Sequence, residues 1–304
     1  MVVLARALMG LHAWFYRNVP YSAAIRGAEL SGWKTRLTKT WLYRGTLHGV
    51  ALEDLAPLLA LHPGSDAFVR YYGAAFMESV TEDVMRCLED GVYSRKEMRD
   101  IFADRYDRGV LDDIFSPWGG IFVSFARKGQ VAFRDMASRD FDLIDVGLIP
   151  PFEEAFPDAL RRFFTTYGPA TAADAAWFTG VSRDRFKTAD LSSYRSFEAD
   201  GKRYYDTEEP EDLPDIPRVT LLAGFDPLIV SYADRSAVLP AEYRRAVILS
   251  SGICMPSVAV DGLVAGLWSL KKGEPTVTFF GRQPKRVRDE ALAQAERVAM
   301  AIDN

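Results

Sequence analysis

With two cysteines and three histidines in 304 residues, there is little material for a disulfide framework or a zinc site. Cys87 and Cys254 lie far apart, and His12, His48 and His62 show no metal-ligand spacing. A zinc site is therefore not expected. No apolar run reaches the roughly 18–20 residues needed to span a bilayer. The opening Met1-Val2-Val3-Leu4-Ala5-Arg6 lacks the basic segment and small-residue cleavage site of a signal peptide. With so few cysteines, a reducing cytoplasm is the expected location, away from membranes. Excess positive charge is missing too. The formal net charge is −5, which argues mildly against nucleic acid, because neutralising phosphates takes Lys and Arg.

What is present qualifies that objection. Residues 1–50 carry Arg6, Arg17, Arg26, Lys34, Arg36, Lys39 and Arg44 against Glu29 alone, a local balance of +6. A basic face can steer a protein onto DNA despite its overall sign. The composition, 48% apolar and 26% charged, is that of a chain able to bury good cores, and the length suits two to four small domains.

The most informative segment runs from Tyr167 to Ser182. Gly168-Pro169 stops one helix, and Thr171 with Asp174 forms a capping-box-like start for the next. Thr179-Gly180 ends that helix, and Ser182 caps a third bearing Arg183, Arg185 and Lys187. Residues 194–205 then alternate around Asp200-Gly201, as a β-hairpin does. A helix-turn-helix followed by a hairpin is a winged helix.

Looser copies of this order precede it. The N-terminal block predicts a helix from Leu4 to Trp14, a break at Asn18-Val19-Pro20, a second helix, and a basic helix end over Trp33–Lys39. A short hairpin then centres on Arg44-Gly45. The next block predicts helices from Leu52 through Tyr72, a helix at Val80–Cys87 stopped by Gly91, and a Ser94-to-Glu97 capping box. A helix between Pro117 and Gly129 and strands at 130–134 and 141–145 complete it. The acidic, Pro-bearing stretch 207–215 reads as an exposed linker. Beyond it come strands at 220–223 and 254–260, an Asp261-Gly262 hairpin, and a strand at 276–280. The closing helix, Val287 to Ile302, sets Ala291, Ala295, Val298 and Ala301 on one face. The expected fold is α+β: tandem winged helix-turn-helix units followed by a small C-terminal β-rich domain. Its boundaries are 1–60 (a winged helix, N-terminally abbreviated), 61–150, 151–210 and 216–304.

Several short motifs occur in one order over nearly the whole chain. They are Gly10-Leu11-His12-Ala13-Trp14, Thr40 to His48, Trp118-Gly119-Gly120, Gly168 to Thr171 with Asp174 and Trp177, Phe225-Asp226-Pro227 with Asp234-Arg235, and Gly252 to Pro256 before Val260-Asp261-Gly262. Together they resemble the winged-helix family of bacterial DNA glycosylases typified by AlkZ and YcaQ. The resemblance implies a DNA-holding protein that excises alkylated purines and unhooks interstrand crosslinks without a cofactor. In the family, a Gln–apolar–Gln triplet places a water beneath C1′. An alkylated purine is cationic and already a good leaving group, so orienting the water can suffice. Here the triplet is His12-Ala13-Trp14. A neutral His12 can accept a hydrogen bond from a water, whereas the Trp14 indole only donates.

His12 and Trp14 are thus the candidate catalytic residues, His12 on a helix in apolar surroundings. The candidate DNA contacts are Arg36, Lys39, Arg44, Arg183, Arg185, Arg282, Lys285 and Arg286. Asp174 reads as a helix cap, Trp177 as a core anchor and Asp226 as a turn former. The expected partner is double-stranded DNA, alkylated or crosslinked, bound by a monomer. Three functions stay open: a glycosylase, a non-catalytic DNA-binding regulator or damage sensor, and a protein-interaction module favoured by the pI of 5.4.

Overall fold

Strands Thr38–Trp41 and Leu47–Val50 pair antiparallel across a turn at Tyr43–Gly45, as the β-rich run around Arg44-Gly45 predicts. This hairpin belongs to one of two compact units, Lys34–Ala159, in a computed structural model that describes residues 1–62, 67–208, 215 and 217–303. The other unit comprises Val3–Trp33 and Leu160–Asn304.

In the Lys34–Ala159 unit, Lys39 also faces Phe133, so the hairpin continues into strands Val131–Phe133 and Asp140–Leu143 and then Tyr93–Ser94. One sheet therefore takes strands from both sides of residue 60, and that expected boundary does not divide compact units. Helices Ala74–Asp90, Arg95–Ile101, Arg108–Ile114 and Phe122–Arg127 accompany the sheet. The Ser94–Glu97 capping box is complete: the Ser94 hydroxyl accepts from the Glu97 N–H, and the Glu97 carboxylate accepts from the Ser94 N–H. Phe122 and Phe141 stack at 4.0 Å in the centre of the core, with Trp41 and Phe133 beside them. Each such ring removed from water stabilises the fold by about 1.5–3 kcal/mol.

Two N-terminal expectations are corrected. The first helix is Val2–Ala7 and stops well short of Trp14. Its end is a Schellman motif, in which Gly10 N–H donates to Ala5 O and Met9 N–H to Arg6 O. Met9 takes the left-handed conformation, φ 56°, that glycine usually supplies there. The chain then extends, so His12 sits on the short strand Leu11–His12 and not on a helix. Likewise, Trp33–Lys39 is no helix end. Turns over 31–35 lead into strand Thr38–Trp41, where cross-strand pairing and β-branched threonines decide the conformation.

In the second unit, helix Asn18–Ile25 contacts helix Lys285–Asp303, and helix Ala172–Thr179, helix Arg183–Lys187 and the hairpin Arg195–Ala199/Lys202–Asp206 follow one another along the chain. Thr171 and Asp174 form the full capping box, Gly180 ends the helix at φ 73°, and Ser182 caps the next. Asp200 and Gly201, both at positive φ, make the tight hairpin turn. The predicted helix, turn, helix and hairpin are all present in order. Phe163, Tyr167 and Phe178 pack as their core, at centroid distances of 4.9–5.3 Å.

The C-terminal part is an antiparallel sheet in the order Glu274–Phe279, Leu263–Lys271, Ser257–Val260, Val219–Leu222. Helix Lys285–Asp303 lies against it through Val287, Ala291, Ala295 and Val298. The small alanines let helix and sheet approach closely over Trp268, whose indole N–H donates to Leu222 O at 2.9 Å. Ala301, expected on this face, is exposed. Most of the acidic stretch expected as a linker, 207–215, lies outside the described residues.

Candidate functional site

The alternation of an extended chain sets up the triplet. Leu11 and Ala13 are buried at 1% and 0% exposure, which turns His12 to the opposite side, where it is half-buried. The His12 imidazole lies flat on the Phe225 ring, with centroids 4.1 Å apart and planes 2° from parallel. The Trp14 backbone N–H donates to His12 Nδ1 over 3.5 Å. Trp14, Phe15 and Tyr16 follow with about two-fifths of their surface exposed. Tyr16 stacks on Trp33, Phe15 leans on Phe225, and the Arg17 guanidinium sits over Tyr16. Part-exposed aromatic side chains thus follow His12 closely in the chain. Trp14 is one of them and is not a core residue.

Phe225 occupies a sharp turn whose keystone is Asp226. The Asp226 carboxylate is buried and accepts from the Ala223 and Leu228 N–H groups and from Arg26 Nη2, at 2.9–3.1 Å. It is therefore the turn former its position before Pro227 predicts, as Asp174 is the predicted cap. Trp177 departs from expectation. It is 40% exposed, with its indole N–H on Val230 O and the Arg235 guanidinium 5.0 Å over its ring. Sequence reasoning missed Phe225 beneath His12. The Phe-Asp-Pro triplet signals a turn, but nothing local says which side chain the turn supports.

The candidate DNA contacts separate by exposure. In the Lys34–Ala159 unit, Arg36 and Arg44 are exposed, Arg44 at the tip of the hairpin with φ 52°. Lys39 is corrected: it is 7% exposed, its ammonium donates to Ser138 O at 2.9 Å, and it lies 4.3 Å from the Phe133 ring centroid. Burial holds its pKa down to about 8. A side chain spent inside the sheet this way is a structural group and does not reach a phosphate. In the other unit, Arg183 and Arg185 stand exposed on helix Arg183–Lys187, while Lys187 pairs with Asp184. Arg282, Lys285 and Arg286 are exposed around the start of the closing helix, Lys285 pairing with Asp289 at 2.6 Å.

The wing hairpin adds groups that the sequence reading did not single out. Phe197 and Tyr204 stack directly across it at 5.6 Å, beside exposed Lys202 and Arg203. Lys202 donates to Asp234 at 2.7 Å and, with Ser236, holds that carboxyl well below the usual carboxylate range. A cleft of about 1040 Å³ opens between this wing and residues 228–238. Among the described residues, no helix is long and apolar enough to cross a membrane.

Comparison with known proteins places this architecture. The solved structure of the DNA glycosylase AlkZ of Streptomyces sahachiroi superposes with a TM-score of 0.78 at 23% identity, over 98% of this chain and 91% of that one. A Streptomyces sahachiroi protein described as an interstrand DNA cross-link repair glycosylase is 27% identical over 303 residues, covering 86% of this chain and 79% of the relative. The family model described as DNA glycosylase AlkZ-like matches residues 30–301, leaving His12-Ala13-Trp14 just outside the match. The chain belongs to the AlkZ-like DNA glycosylase family.

Proposed function

We propose that this protein hydrolyses the glycosidic bond of alkylated purines in double-stranded DNA, with His12 orienting the attacking water. The observation that carries this reading is the placement of His12. Its ring is stacked flat on Phe225 at 4.1 Å, just before the part-exposed aromatics Trp14, Phe15 and Tyr16 in the chain. An N7- or N3-alkylated purine departs as a neutral base, so the enzyme need only hold the nucleotide and fix the water. An imidazole held against a ring meets that requirement. Trp14 serves better as a stacking platform for a base than as a second water ligand, since its indole offers a single donor. Arg36, Arg44, Arg183, Arg185, Arg282, Lys285 and Arg286 are exposed cations suited to phosphate contacts. Crosslinked DNA, named in the description of the Streptomyces relative, is a second substrate to test.

A second reading has its own support. The triplet reads His12-Ala13-Trp14 in place of the family's Gln–apolar–Gln, and the Trp14 indole only donates, which favours a DNA-binding damage sensor that has shed the chemistry. One experiment separates the two. Purified protein is incubated with duplex carrying one N7-methylguanine, and base release is followed beside binding to undamaged duplex. Release that depends on His12 supports the enzyme. Salt-sensitive binding unaffected by His12→Ala, with no release, supports the sensor.

A further inference from the structure

We infer that Phe225, held by the Arg26–Asp226 pair, is a positioning residue that fixes both the plane and the tautomer of His12. This rests on the reading of His12 given above and deepens it. Three observations converge. The imidazole and phenyl rings are stacked, 4.1 Å apart at their centroids and 2° from parallel, so the phenyl face limits tilting of the histidine ring toward it. Phe225 adopts φ 56°, a left-handed conformation that a bulky residue takes only where its surroundings impose it. Those surroundings are all on the same turn. Asp226 accepts from Ala223 N–H and Leu228 N–H on either side of Phe225, and Phe225 N–H donates to Cys254 O at 3.2 Å. Arg26 Nη2 donates to both Asp226 oxygens at 2.9 and 3.0 Å, while its Nη1 donates to Ser22 Oγ. Helix Asn18–Ile25 is thereby tied to the turn. Even the glycine beside Phe225 is closed in: a Cβ on Gly224 would come 2.7 Å from Asn18 Oδ1.

The chemical consequence concerns the proton on His12. Its Nδ1 accepts from the Trp14 backbone N–H, so a neutral ring carries its hydrogen on Nε2. Nε2 is then a donor. It holds a water by its oxygen and does not draw a proton from it, which reverses the acceptor role the sequence alone suggests. Such an arrangement orients a nucleophile without activating it, and it matches a substrate whose leaving group is already cationic.

The test uses the full chain in four forms: wild type, Phe225→Leu, Phe225→Tyr and His12→Ala. Long-range ¹H–¹⁵N spectra of the His12 ring read the tautomer directly. The expected wild-type result is one dominant Nε2–H tautomer, kept in Phe225→Tyr and mixed with the Nδ1–H form in Phe225→Leu. In single-turnover base release from N7-methylguanine duplex, Phe225→Leu should lower the rate by about 10–100-fold at unchanged duplex affinity, with Phe225→Tyr restoring it. An Nδ1–H tautomer in wild type, or a Phe225→Leu ring pattern like that of wild type, would overturn the inference. So would wild-type release by Phe225→Leu where His12→Ala has lost it. If His12→Ala itself releases base at the wild-type rate, the role given to His12 fails, and the spectra alone then decide the positioning claim.

Discussion

Lowering the pH from 7 to 4 should destabilise the Lys34–Ala159 unit through His48. This histidine lies on strand Leu47–Val50, 6% exposed, with Nδ1 donating to Thr46 O at 3.0 Å and its ring edge-on to Tyr43. Burial brings its pKa from 6.5 down to about 4, and the nearby Arg44 pushes the same way. Between those two values the unfolded chain binds more protons than the folded one, so stability rises with pH across that window. The contribution is complete above pH 6.5 and is lost as the pH falls through about 4. At 1.36 kcal/mol per pH unit, the window is worth about 3 kcal/mol. Urea denaturation followed by circular dichroism at pH 4, 5, 6 and 7 would compare wild type with His48→Asn. The difference in unfolding free energy between the two proteins should shift by about 3 kcal/mol from pH 7 to pH 4, with carboxylate effects common to both cancelling. A constant difference across the series would refute the assignment of this pH dependence to a buried, neutral His48.

Further outcomes follow from other buried or crowded groups. Lys39 titrates near 8 in the fold against 10.5 for its ordinary value, so the stability of wild type relative to Lys39→Met should climb between those pH values in the same denaturation assay, with the titration of cysteines and tyrosines common to both proteins cancelling. Gly120 sits at φ 56°, and a Cβ there would come 1.9 Å from Ile114 O; Gly120→Ala should lose at least about 1–3 kcal/mol of stability, seen as a lower thermal midpoint. Removing Arg282 and Arg286 together should reduce the slope of log affinity against log salt by about one per lost phosphate contact, whereas Lys39→Met should leave that slope unchanged.

How far the sequence could be read depended on how local each cause was. The Thr171–Asp174 and Ser94–Glu97 boxes, the Gly180 helix end and the Asp200-Gly201 and Asp261-Gly262 turns are decided by residues within a few positions of each other, and they stand where expected. The first helix was overextended because Met9, not a glycine, takes the left-handed position that ends it. Trp33–Lys39 reads as a basic helix end on its own, but pairing of Thr38–Trp41 with Leu47–Val50 and of Lys39 with Phe133 makes its end a strand. Lys39 counted as a surface cation because nothing nearby in sequence announces Phe133 and Ser138 around its ammonium. The site followed the same rule. The triplet was visible, while Phe225 beneath His12 and the Arg26–Asp226 pair, 200 residues apart in the chain, exist only once the unit has folded.

The most direct test of the central claim is single-turnover release of base from a duplex bearing one N7-methylguanine, with wild type beside His12→Ala. Wild type should leave an abasic site, and His12→Ala should slow the reaction by at least about 100-fold while binding duplex equally well at low salt. Absence of release by wild type at saturating protein, or equal rates for the two, would contradict the account.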